Sequence, residues 1–99
     1  YLEYVEKFII DETKRMSEQF KGCTALTHLR IEGTIGLNAN FQWCPLTRES
    51  IENVVSCLSD IATEVTCTFK TSAVNNAFTT EEWDALKATK PNWTFALVD

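Results

Sequence analysis

Phe20-Lys21-Gly22-Cys23-Thr24-Ala25-Leu26-Thr27-His28-Leu29-Arg30-Ile31-Glu32-Gly33-Thr34-Ile35 is the stretch whose reading decides the fold. Leu26, Leu29 and Ile31 follow an apolar-x-x-apolar-x-apolar pattern, and Val5, Phe8 and Ile10 carry the same pattern 21 residues earlier. A repeat of that length is the mark of a solenoid, in which each turn adds one short strand and buries its apolar side only against a neighbouring turn. Asp11 to Gln19, strongly polar, is then a solvated return loop or a short helical turn. Gly22 permits a tight turn beside Phe20 and Cys23.

Downstream of Ile31 the pattern changes. Gly33, Gly36, Asn38 and Asn40 mark a turn region, Phe41-Gln42-Trp43 alternates as a short strand, and Pro45 ends it. Thr47 offers an N-cap hydroxyl to a helix whose Ile51, Val54, Val55, Leu58, Ile61 and Ala62 fall on one face. Val65 to Lys70 alternates strictly, predicting a half-buried strand with Val65, Cys67 and Phe69 inward. Ser72 is placed to cap a short helix through Phe78. Thr79 and Glu82 form a capping box for another helix, whose Trp83 and Leu86 share a face and which Pro91 stops. Trp93 to Val98 closes the chain as a strand. Strands each preceded by helix predict crossovers over a mainly parallel sheet.

The segment from Phe20 to Ile35 resembles the Phe-x-Gly-Cys-x-x-Leu-x-x-Leu-x-Ile motif of BspA-type leucine-rich repeats, found in bacterial surface proteins and in genes carried by their phages. The Ile-Glu-Gly-Thr-Ile-Gly link, the Leu-Thr-x-x-Ser-Ile helix start and the ending Lys-x-Asn-Trp-Thr resemble the carboxy-terminal segment that closes many such arrays. The resemblance implies an α/β fold: a short leucine-rich-repeat solenoid with a largely parallel sheet of about five short strands, backed by two or three helices. It divides the single domain 1–99 into repeat turns over 1–36 and a carboxy-terminal cap over 37–99. It implies a non-enzymatic role in attachment or in binding a protein or glycan at a bacterial or phage surface, with no catalytic residue to carry over. The other readings are a structural assembly unit of a virion or secreted protein and, third, a Cys/His-type hydrolase.

Composition sets limits on these readings. The 99 residues, 44% hydrophobic and 23% charged with 3 Gly and 2 Pro, suit one packed domain. No apolar run approaches the roughly 20 residues that cross a bilayer, so membrane insertion is not expected. Fourteen acidic against nine basic residues, net −5, repel phosphate backbones and argue against nucleic acid. Opening on Tyr1 rather than Met suggests a piece of a longer polypeptide or a processed product. Cys23, Cys44, Cys57 and Cys67 include no Cys-x-x-Cys pair and the chain has one His, so neither a metal nor a cofactor is expected. Buried free thiols and two disulfides, with three possible pairings, both fit this spacing.

The candidate binding residues lie between the core positions of the strands. Lys7, Ile9 and Asp11 on the first strand and His28, Arg30 and Glu32 on the second would project from the open sheet face, followed by Asn40, Gln42, Thr66, Thr68 and Thr94. The alternative is a solvated exterior, which mixed Lys, Arg, Glu and Thr also provide. His28 faces away from the side on which Leu26 and Leu29 pack, while Cys23 belongs to the core, so a thiol nucleophile with its base is not expected. Glu81 and Glu82 are adjacent on a helix and point about 100° apart, which does not suit an acid/base pair. Trp83 and Trp93 read as core, and Trp43, after the glycine and asparagine turn, as a possible sugar contact.

Overall fold

A computed structural model of the chain describes residues 4–9, as backbone, and residues 24–98. The class is α/β. Strands β1 (Tyr4–Ile9) and β2 (His28–Glu32) form a parallel pair, the first sheet. Strands β3 (Ala39–Phe41), β4 (Val65–Lys70) and β5 (Trp93–Val98) form a three-stranded parallel sheet in that order, the second sheet. Helix α1 (Arg48–Ser56) crosses from β3 to β4, and α2 (Thr71–Ala77) with α3 (Thr80–Ala88) crosses from β4 to β5. Parallel neighbours require such crossovers, because a tight hairpin joins only antiparallel strands.

Division into two sheets departs from the single sheet expected. Gly33, at a φ of 115°, turns the chain as it leaves β2. Ile35 then meets Leu58 in an isolated parallel bridge, its N–H donating to the Cys57 carbonyl at 2.7 Å and its own carbonyl accepting from the Ser59 N–H at 2.9 Å. Only after that corner does Ala39 pair with Cys67 and open the second sheet. The 21-residue offset is also corrected. Val5 pairs with Leu29 and Phe8 with Ile31, with a register shift between Val5 and Phe8, so Leu26 precedes the ladder instead of matching Val5. Ile10, the segment Asp11 to Gln19 and the lead Phe20 to Cys23 lie outside the described residues.

Several local readings agree with the structure. Val65, Cys67 and Phe69 of β4 are buried while Thr66, Thr68 and Lys70 are half-buried, as strict alternation demands. Thr79 and Glu82 make both bonds of the capping box: the Glu82 N–H donates to Thr79 Oγ1 at 3.2 Å and the Thr79 N–H to Glu82 Oε1 at 3.0 Å. Others shift. Helix α1 is capped by Thr47 but ends at Ser56, so Leu58 is buried in the bridge to Ile35 and Ile61, expected inward, is 88% exposed. Strand β3 sits two residues before the expected Phe41 to Trp43, and Trp43 is half-buried beyond its end. Lys70 rather than Ser72 occupies the N-cap of α2, without a side-chain cap bond.

Both sheets feed one core. Leu29 and Ile31 of β2, Phe41, Cys67 and Phe69 of the second sheet, and Ile51, Val54 and Val55 of α1 are buried together. Burying each such side chain is worth about 1.5–3 kcal/mol, so this shared cluster holds the helices against the strands. Phe41 stacks on Phe69 with centroids 5.7 Å apart, and Trp83 meets Phe69 edge-on at 5.8 Å and Phe95 at 5.7 Å. Trp93 Nε1 donates to the Ser59 carbonyl at 2.8 Å, which satisfies the indole as it is buried.

Candidate functional site

Strand β2 carries the most polar of the expected recognition residues. His28, Arg30 and Glu32 are exposed and alternate with buried Leu29 and Ile31. A strand rises about 3.3 Å per residue, so the three side chains stand about 7 Å apart along one face. His28 Nδ1 lies 2.9 Å from Thr27 Oγ1, which orients the ring. Register sets Tyr4 beside His28 and Ile9 beside Glu32 on β1. Lys7 and Ile9 are fixed as backbone positions of β1, and Asp11 lies outside the described residues.

The remaining candidates belong to the second sheet, so the single continuous face expected from the sequence is divided between two sheets. Asn40 pairs with Thr68, and Thr66 with Thr94, in the parallel register. Asn40, Thr66 and Thr68 are half-buried and Thr94 is exposed. Two asparagines here act on backbone. Asn40 Oδ1 accepts from the Gln42 N–H at 3.0 Å, which places Gln42 in the turn after β3, and Asn38 Oδ1 accepts from the Thr66 N–H at 2.8 Å.

Residues that sequence reasoning missed lie on α1, against the outer edge of β2. In a parallel strand the N–H and C=O of one residue point to the same side, so Thr27, Leu29 and Ile31 present theirs away from β1. Each is met by the α1 segment. The Thr47 N–H donates to the Thr27 carbonyl at 2.9 Å, and the Leu29 N–H donates to Ser50 Oγ at 2.9 Å. The Ile31 N–H donates to Asn53 Oδ1 at 2.6 Å, Asn53 Nδ2 donates to the Ile31 carbonyl at 3.3 Å, and Cys57 Sγ reaches that carbonyl at 3.3 Å. Positions 50, 53 and 57 fall within about 60° on a helix, bordering the apolar stripe of Ile51, Val54 and Val55. That border of small polar residues is the signal from which they were recoverable.

The titrating groups near these elements have identifiable causes. Burial raises the Cys57 thiol above its ordinary value, against the lowering pull of Ser56 and Lys90. Complete burial raises Cys67 far more. Cys57 and Cys67 are free thiols and Cys44 is buried, whereas Cys23 lies outside the described residues. The bond from the Thr79 backbone, then that from Arg48, holds the Glu82 carboxyl below the usual range. Arg48 reaches Glu82 at 2.7 Å and lies 5.0 Å from the Phe78 ring centroid, joining α1 to α3.

A cleft of about 310 Å³ opens beside α2, α3 and β5, with Phe78, Trp83 and Phe95 among its walls. Its charged rim is paired internally: Lys87 Nζ lies 3.2 Å from Asp84 and 5.9 Å from the Trp83 centroid. Among the described residues no three metal-ligating side chains gather, and no helix is long and apolar enough to cross a membrane. A scan against protein-family models and searches of the curated proteins and the solved structures found no match to this chain.

Proposed function

We propose that the chain is a non-enzymatic recognition module, a short leucine-rich solenoid with a carboxy-terminal cap, that binds a protein or glycan at a bacterial or phage surface. The observation that carries the reading is the alternation along β2. Buried Leu29 and Ile31 anchor the strand while His28, Arg30 and Glu32 turn a donor, a cation and an anion outward. Parallel pairing with β1 on one side and the bonded contact of α1 on the other hold that backbone, so the outward side chains are presented on a rigid element. Solenoids use such extended faces for recognition. The cap reading draws on α1, which covers the β2 edge away from β1.

A protein and glycan array probed with the wild-type chain and with a His28→Ala/Arg30→Ala/Glu32→Ala variant tests this. Selective binding that the triple variant loses while keeping its circular dichroism supports the reading. Binding that survives the triple variant unchanged, or no selective binding on either array, contradicts it. Assembly as a virion or secreted component is the second reading, favoured by Leu97 and Val98 of β5, which are 39% and 40% exposed. Concentration-dependent scattering that Leu97→Ser abolishes would select that reading.

A further inference from the structure

We propose that the cleft beside α2, α3 and β5 binds a free α-amino acid with an apolar side chain. Its volume of about 310 Å³ stands at the small end of the roughly 300–1,000 Å³ range of small-molecule sites. One wall is aromatic. Phe78 and Phe95 have their ring centroids 5.7 Å from that of Trp83, tilted and edge-on respectively, and Leu97, 39% exposed, extends the apolar lining. An aromatic side chain set against Phe95 and Leu97 continues that arrangement of rings.

The charges at the rim select the other half of the ligand. Among the described residues that line the cleft only Asp84 and Lys87 are charged, one of each sign, with Lys87 Nζ 3.2 Å from Asp84 Oδ1. Neither seals the other, since Asp84 keeps 62% and Lys87 37% of its side chain exposed. A carboxylate offers about four acceptor sites and an ammonium three donors, so each group has room for a further partner. A ligand with a single charge is attracted by one of them and repelled by its neighbour. An α-amino acid carries an ammonium and a carboxylate on one carbon. Laid head to tail on the pair, its ammonium meets Asp84 and its carboxylate meets Lys87, which closes a ring of four alternating charges. Asn75 and Thr80, exposed in the same lining, add a carboxamide and a hydroxyl. These residues belong to other elements than β2, so the site does not rest on recognition by the outward face of that strand.

Titration of the chain with phenylalanine, phenethylamine and 3-phenylpropanoate at neutral pH, followed through backbone amide shifts, tests the proposal. The three probes share the ring and differ in charge. Phenylalanine is expected to give saturable shifts around Asn75, Thr80, Asp84, Lys87 and Phe95. A contact with an exposed charge is worth up to about 5-fold in affinity, so each single-charge analogue is expected to bind about that much more weakly. Lys87→Met is expected to abolish the preference for phenylalanine over phenethylamine, and Asp84→Asn the preference over 3-phenylpropanoate. No saturable shift at the cleft, either analogue binding the wild-type chain as tightly as phenylalanine, or preferences that both variants leave unchanged overturns the proposal. Should a variant fail to fold, the three-probe comparison on the wild-type chain decides.

Discussion

The Asn53 carboxamide closes both polar groups of Ile31, accepting from its N–H at 2.6 Å and donating to its carbonyl at 3.3 Å. Removing it leaves a donor and part of an acceptor unpaired beside the core. An unsatisfied buried group costs about 1–3 kcal/mol, so Asn53→Ala is expected to lower stability by about that amount in urea denaturation. A loss within the experimental scatter would mean that water replaces the carboxamide without penalty.

Leu58 is buried in its bridge to Ile35, while Ile61, three residues on, is 88% exposed. Leu58→Ala is expected to cost about 2–5 kcal/mol, as truncation of a well-packed core leucine does. Ile61→Ala should stay within about 0.5 kcal/mol, the usual range for surface positions. Equal losses at the two positions would restore the longer helix and remove the bridge.

That pair also shows how far the sequence was legible. Periodicity located α1 and its Thr47 cap, but Leu58 continues the apolar spacing and gave no sign that the chain leaves the helix at Cys57 to meet Ile35. Tertiary pairing overrode a local pattern. Where a local rule suffices, as in the alternation of Val65 to Lys70 or the Thr79 and Glu82 capping box, expectation and structure coincide. Alternation likewise placed His28, Arg30 and Glu32 outward. It could not show that Asn40, Thr66 and Thr68 belong to a different sheet, because the division depends on the turn at Gly33 and the corner at Ile35. Ser50 and Asn53 read as ordinary polar helix positions until β2 was set beside them.

The Glu82 carboxyl is held below its ordinary value by the Thr79 backbone bond first and by Arg48 second. A carboxyl lowered by folding adds stability above its unfolded pKa, near 4.3, and that stability is lost as pH falls through the lower folded value. Acidification below the usual carboxylate range should therefore shift urea midpoints downward, and Glu82→Gln should flatten that part of the profile. Parallel profiles for the two proteins would contradict the assignment. Thr79→Ala removes the reciprocal cap bond and is expected to cost about 1 kcal/mol at neutral pH.

Thiol reactivity should follow burial. Cys67 is fully buried with its thiol raised well above the ordinary value, whereas Cys57 is half-buried and raised less. The thiolate is the reacting species, so mass-resolved alkylation of the native chain is expected to modify Cys57 before Cys67. The reverse order would contradict the inward placement of Cys67.

Residue-resolved amide exchange along β2 of the wild-type chain tests most directly whether α1 stands in the place of a strand. Leu29 and Ile31, whose amides face Ser50 and Asn53, are expected to exchange as slowly as the paired amides of β4. Exchange of both at the rate of an unprotected chain would contradict the sealed edge and, with it, the rigid presentation of His28, Arg30 and Glu32.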